Sequence, residues 1–232
     1  DYYDEEGVEL FINHIKLLCN DEEESTNYLI KYIADLFQNP NVLPQVAICI
    51  TGKKGVGKST LAYHIINYIL SENEECKYDK KKLIINKDNK SYKLLQNNTH
   101  PNFYLIDLID EKKNIDIAQI RQMILYTNKS SFNDMPRFVL IDNIENLNIN
   151  SVNALLKIVE EPNDNIFFIL IHNCEKKILP TLKSRCLTFK INHTFDESIN
   201  ISNLSLNRDI FEVINYDLIS YYNTPGEIID LI

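Results

Sequence analysis

The chain has 232 residues, 44% of them hydrophobic, and a formal net charge of −9. That suits one sizeable domain with a real core, with room for a small second one. The acidic balance argues against a strong free-standing nucleic-acid binder, which needs clustered Lys and Arg, and no apolar run approaches the ~20 residues of a membrane span.

Residues 1–45 are helical in pattern. The opening, Asp1 to Glu6, is acidic and unlike a signal peptide, and no initiator Met is present, so the chain reads as part of a longer protein. After an acidic stretch at Asp21 to Glu24, Tyr28, Leu29, Tyr32, Ile33, Leu36 and Phe37 recur at helical spacing, and Pro40 and Pro44 close the segment. Residues 46–191 then alternate short apolar runs with helical patterns. Five runs read as strands: Val46–Thr51, Phe103–Leu108, Arg137–Asp142, Ile166–Ile171 and Leu187–Ile191. Most are continuously apolar, which suits strands covered on both faces of a parallel sheet. Leu61, Ala62, Ile65, Ile66 and Ile69 share one helical face after the first strand. Val152, Leu155, Leu156 and Val159 share another before the fourth, with Asn150 or Ser151 as the expected N-cap. Each connection is long enough for a parallel crossover, so the predicted class is α/β, a five-stranded parallel sheet flanked by helices. The polar, lysine-rich stretch from Ser71 to Asn98 reads as a surface excursion. Residues 195–232 are helical in pattern again.

Gly52-Lys53-Lys54-Gly55-Val56-Gly57-Lys58-Ser59 matches G-x-x-x-x-G-K-[ST] at every fixed position. It follows an apolar strand and opens an amphipathic helix. In such a P-loop the glycines let the backbone turn sharply and bring N–H groups to phosphates, and the helix adds its positive dipole end. Gly52, Lys53, Lys54, Gly55, Val56, Gly57, Lys58, Ser59 and Thr60 are therefore the expected nucleotide-binding residues. Lys58 would reach the β- and γ-phosphates of ATP or ADP, and the Ser59 hydroxyl would face Mg²⁺. Four apolar residues ending in Asp142 form a Walker B pattern, making Asp142 the second expected Mg²⁺ residue. The next residue is Asn143, whose amide cannot accept a proton from water. That predicts nucleotide binding without efficient hydrolysis. Glu145 is the nearest substitute, and reads more simply as a solvated loop carboxylate.

The cysteines, Cys19, Cys49, Cys76, Cys174 and Cys186, are odd in number and form no C-x-x-C pair, which disfavours a disulfide framework or zinc site and makes a reducing cytoplasm the default. Cys49 and Cys186 lie in apolar strands and read as core. His14, His64, His100, His172 and His193 have no metal-ligand spacing and read as structural.

Several further motifs follow in order. Ser151 to Pro162 reads S-V-N-A-L-L-K-I-V-E-E-P, and Ser184-Arg185-Cys186 closes a segment after the fourth strand. His100-Pro101-Asn102-Phe103 precedes the second strand, and Ile117-Ala118-Gln119-Ile120-Arg121 precedes the third helix. Together these resemble the clamp-loader branch of the AAA+ ATPases of DNA replication, from about Leu43 to Ile191. Within it the delta-prime type of bacterial DNA polymerase III fits better than gamma/tau. Asn143 replaces the expected glutamate, the four-cysteine zinc module is missing, and Asn223-Thr224-Pro225-Gly226-Glu227 looks like a stretch of some delta-prime chains. Glu227 stands where an arginine would contact ATP, so that contact is not expected.

The resemblance implies an AAA+ domain over residues 1–191 with the N-terminal helical segment, the start of a small helical lid over 192–232, and a collar domain not included in this chain. It implies an arginine finger at Arg185, acting in trans on a neighbouring subunit's ATP; read alone, Arg185 would neutralise the end of its own helix. Asn173 matches a position that contacts the γ-phosphate or attacking water, and reads equally as a turn asparagine. The implied partners are sister subunits in a hetero-oligomeric ring and, through the ring, the sliding clamp and primed DNA. A self-sufficient ATPase of gamma or other type, and an adaptor with a vestigial P-loop, remain as alternatives. Glu160 and Glu161 are odd on local grounds, because two acids at a helix C-terminus oppose the helix dipole.

Overall fold

Five apolar runs pair into one parallel sheet in the computed structural model. The strands are β1 (Ala47–Thr51), β2 (Phe103–Ile106), β3 (Arg137–Ile141), β4 (Ile166–His172) and β5 (Cys186–Lys190), in the order β2-β3-β4-β1-β5. The structure describes Glu23, Asn27, Lys31 and residues 47–79, 84–109, 112–129, 133–163, 165–215 and 218–232. Apart from Glu23, Asn27 and Lys31, which are helical, the expected N-terminal helical segment lies outside the described residues, as does Val46.

The burial of each strand follows its place. Every residue of β1, β3 and β4 is buried, whereas the edge strands β2 and β5 are partly exposed. Successive side chains of a strand point to opposite faces, so β1 feeds two cores. Ile48 and Ile50 pack under α1 (Lys58–Leu70) with Ala62, Ile66 and Ile69. Ala47 and Cys49 face Ile120 and Met123 of α3 (Ile117–Thr127) and Val152, Leu155 and Val159 of α4 (Ile149–Glu160). The predicted helical faces are thus the buried ones, and Cys49 is a core residue. A separate small core of Ile199, Ile210, Ile214, Ile219 and Ile228 joins α6 (Phe195–Leu206), the turn at Ile210–Glu212 and α7 (Pro225–Ile229).

Several boundaries differ from the sequence reading, each for a local reason. Strand β2 stops at Ile106 rather than Leu108, where the Asp107 carboxylate accepts from the Leu108 N–H at 2.6 Å and takes that donor from the sheet ladder. Strand β3 stops at Ile141, since Asn143 takes a left-handed conformation with φ 57°. Helix α4 begins two or three residues earlier than expected. Its N-cap is Asn148, not Asn150 or Ser151, and the Asn148 side chain accepts from the Ser151 N–H at 2.9 Å. The run from Ile117 to Arg121 is the first turn of α3 itself, not its approach, and Asp116 and Gln119 form a capping box there.

The stretch from Ser71 to Asn98 is only partly a surface excursion. It contains α2 (Lys90–Gln96), whose Leu95 joins the core. Its polar residues pair with one another: the Glu74 carboxylate accepts from the Ser91 hydroxyl at 2.6 Å and the Ser91 N–H at 2.9 Å. Asn67 on α1 and Asn89 before α2 exchange reciprocal amide bonds at 3.2 and 3.1 Å, with at most 1% of either residue exposed. A buried amide that loses its partner keeps its desolvation cost. Asn67→Ala strands the Asn89 amide and is expected to destabilise the chain by about 1–3 kcal/mol, read as a lower midpoint in urea unfolding with the slope unchanged.

Candidate phosphate-binding site

In a parallel sheet all carboxyl ends open at one edge, and a ligand crevice forms there. Thr51 of β1 pairs with His172 of β4, and Ile141 of β3 with Leu170. This register brings the loop after β1, Asp142 after β3 and Asn173 after β4 to one level. A cavity of about 680 Å³ opens there, lined by Lys54 to Leu61, His64, Asp142, Asn143 and Asn173. The far wall comes from His193, from Ile201 and Ser205 of α6, and from Pro225, Gly226 and Ile229 of α7.

The loop has the backbone that a phosphate cradle requires. Gly55 and Gly57 have φ of 83° and 86°, where L side chains are strained. Gly57 is the N-cap of α1 and has no side chain to cap it, so the first N–H groups of the helix stay available to a ligand. A Cβ at Gly57 would meet nothing within 4 Å, which leaves open space above the helix start. The Lys58 side chain is 3% exposed and donates to the Lys53 carbonyl at 2.5 Å. Burial holds the Lys58 pKa below the ordinary lysine value, an effect that the Asp142 charge partly offsets. The Ser59 hydroxyl donates to Asp142 Oδ2 at 2.7 Å. These groups fit a nucleotide with a divalent cation: orphan amide donors and an ammonium for phosphate, and a hydroxyl beside a carboxylate for the metal.

Not every expected binding residue faces the cavity. Gly52 lies beneath it, where a Cβ would come within 2.5 Å of the Ile191 carbonyl. The Lys53 ammonium sits 5.6 Å from the Tyr222 ring centroid. Asn173 lines the cavity, and its Nδ2 donates to Asn143 Oδ1 at 2.7 Å; Asn143 Nδ2 in turn donates to Asp107 Oδ1 at 2.7 Å. Asn143 is thereby held on both sides. Glu145 is not the solvated carboxylate that its loop position suggested. It is 8% exposed, with Oε2 accepting from the Asn173 N–H at 3.3 Å and Oε1 unpartnered among the described residues. Arg185 stands apart from the cavity, paired with Glu160.

The sequence reading expected a lid over 192–232 but named none of the far-wall residues as site residues. His193 Nε2–H donates to the Val56 carbonyl at 3.1 Å, and nothing in its local sequence marks it. The Gly226 N–H donates to the Gly55 carbonyl at 3.0 Å, and a Cβ on Gly226 would fall 2.7 Å from Gly55 Cα. Glu227 faces its own helix terminus: its carboxylate accepts from the Thr224 N–H at 2.9 Å in a capping box, away from the cavity.

A family model described as DNA polymerase III, delta subunit, matches residues 23–195. The chain belongs to that family. It is a clamp-loader AAA+ protein, most like the delta-prime subunits. It is 29% identical over 148 residues to DNA polymerase III subunit delta' of Pseudomonas aeruginosa, covering 61% of this chain and 41% of that one. It is 34% identical over 172 residues to DNA polymerase III subunit gamma of Buchnera aphidicola subsp. Schizaphis graminum, covering 73% and 45%. The chain thus spans under half the length of these two curated relatives. A RuvB variant from Thermotoga maritima superposes with a TM-score of 0.51 at 17% identity, over 90% of this chain and 60% of that one, and shares the fold. Among the described residues no helix is long and apolar enough to cross a membrane.

The family's site carries an electrostatic cost. Burial raises the Asp142 pKa above the ordinary aspartate value; the Ser59 hydrogen bond opposes the shift and the neighbouring Asp107 adds to it. The sign follows from the raised folded value. Below the unfolded pKa the carboxyl is neutral in both states and costs nothing; stability falls as pH rises from the unfolded pKa to the folded one, and the full penalty applies above the folded pKa. Asp142→Asn, which keeps an acceptor for Ser59, is expected to raise the melting temperature of the ligand-free chain at pH 7. That gain is expected to vanish at a pH below the ordinary aspartate range.

Proposed function

We propose that this chain is a delta-prime-type subunit of a DNA polymerase III clamp loader. It binds ATP or ADP with Mg²⁺ at its own P-loop, hydrolyses little there, and completes a neighbouring subunit's ATPase site with Arg185. Residues 1–191 form the nucleotide-binding domain and 192–232 the start of a helical lid over it. Its setting is the cytoplasm. Its partners are sister subunits in a hetero-oligomeric ring that includes a collar and, through that ring, the sliding clamp and primed DNA.

The observation that carries this reading is a complete cradle beside a disarmed acid position. Amides of Gly57 to Thr60 and the Lys58 ammonium would take the phosphates, with the ammonium leaving the Lys53 carbonyl. Ser59 and Asp142, already 2.7 Å apart, would hold the metal. The cation supplies neutralisation of phosphate charge. A proton acceptor for the attacking water is what Asn143 cannot be, and its amide is engaged by Asp107 and Asn173. Arg185, partly exposed, paired with Glu160 and outside this chain's own cavity, would turn its remaining donors to another subunit's phosphates.

One observation favours a second reading, a self-sufficient gamma-type ATPase. The buried Glu145 carboxylate keeps one oxygen unpartnered near the end of β4. Steady ATP turnover by the isolated chain, abolished by Lys58→Ala, would favour it.

The test is nucleotide titration of this chain together with ATP turnover of the reconstituted complex. Lys58→Ala is expected to weaken nucleotide binding at least about tenfold, since it removes the buried cation facing the phosphates. Arg185→Ala is expected to leave that binding within about twofold and to slow the complex at least about tenfold. Unchanged turnover with Arg185→Ala would sink the trans role.

A further inference from the structure

Glu160 is the last residue of α4, where its charge opposes the helix dipole. Glu161 and Pro162 follow, so the helix ends without the left-handed glycine that commonly closes one. An acid in that position needs a reason beyond the helix. The structure supplies a partner from a different element. Arg185, just after the short helix α5 (Pro180–Lys183), donates from Nε to Glu160 Oε1. Its Nη1 donates to the Thr181 carbonyl at 2.8 Å.

The two anchors differ in kind: one is a carboxylate from α4 and the other a main-chain carbonyl of α5. Nε and Nη1 are engaged; Nη2 makes no hydrogen bond among the described residues. A planar group fixed at two donors has a fixed plane, and most of its rotamer freedom is spent before it meets a ligand. The side chains stay 37% and 44% exposed, so the pair contributes little to stability in water. Stability therefore does not account for an acid set against a helix dipole, whereas orientation does.

We infer that Glu160 is a positioning residue for Arg185. It holds the guanidinium through Nε and leaves Nη2, which makes no hydrogen bond among the described residues, to donate to a phosphate oxygen of a neighbouring subunit's nucleotide. This rests on the trans role of Arg185 proposed above. The carboxylate itself touches no phosphate; it acts through the arginine.

The test uses the reconstituted complex and four variants of this chain: Arg185→Ala, Glu160→Ala, Glu160→Gln and the Glu160→Ala/Arg185→Ala double. Glu160→Ala is expected to lower kcat about three- to tenfold with the KM for ATP unchanged, the loss of a pre-oriented group rather than of binding. Glu160→Gln keeps an acceptor oxygen for Nε and is expected to restore kcat to within about twofold. The double variant should match Arg185→Ala, because a residue that acts only through the arginine has no effect without it. Nucleotide binding by the chain itself should be unaltered by Glu160→Ala, which separates positioning from misfolding. If Arg185→Ala slows the complex and Glu160→Ala does not, the positioning role falls while the trans role stands. Faster turnover in either Glu160 variant would mean that the carboxylate restrains the arginine, and would overturn the inference. If Arg185→Ala changes nothing, both readings fall together.

Discussion

All five strands run the same way, so five carboxyl ends and no amino ends meet at one edge of the sheet. Everything at the site depends on that constraint. A loop leaving β1 must climb to start α1, and the tight glycine-rich turn is how it does so. The acid after β3 and the amides after β4 arrive at the same height because parallel neighbours share register. The strands hold that height because β1, β3 and β4 are buried on both faces and cannot slide without exposing one core or the other.

The charges at this edge are arranged against folding rather than for it. Lys58 and Asp142 are both pushed toward neutrality by burial, and only partial compensation comes from each other and from Ser59. Such a site gains its return when a multiply charged ligand arrives, since desolvated partners interact strongly with it. Asn143 is the contrasting case: two side-chain hydrogen bonds, to Asp107 and from Asn173, leave its amide satisfied in a left-handed backbone.

The sheet and the P-loop were legible in the sequence because each is written in contiguous residues. A continuously apolar run such as Ile166 to Ile171 has few other places to go than the middle of a sheet, and β4 is fully buried. Strand ends were less legible, since a side-chain bond from Asp107 to the next N–H and a left-handed Asn143 end them and both residues also fit an extended pattern. The stretch from Ser71 to Asn98 misled because its order comes from pairs distant in sequence, Glu74 with Ser91 and Asn67 with Asn89. Burial of Glu145 and the role of His193 at the Val56 carbonyl have no local signature. Glu160 was visible only as an anomaly; its partner lies 25 residues away.

Gly55 and Gly226 meet backbone to backbone, and a methyl group on either would collide with the other's surroundings: Gly226 against Gly55 Cα, Gly55 against the Thr224 hydroxyl. Side chains usually cushion the junction between two parts of a protein and let one shift without the other. Here the cushion is missing. With the Gly226 N–H also tied to the Gly55 carbonyl, the loop and helix α7 touch backbone to backbone, with no side chain between them to absorb a shift of either.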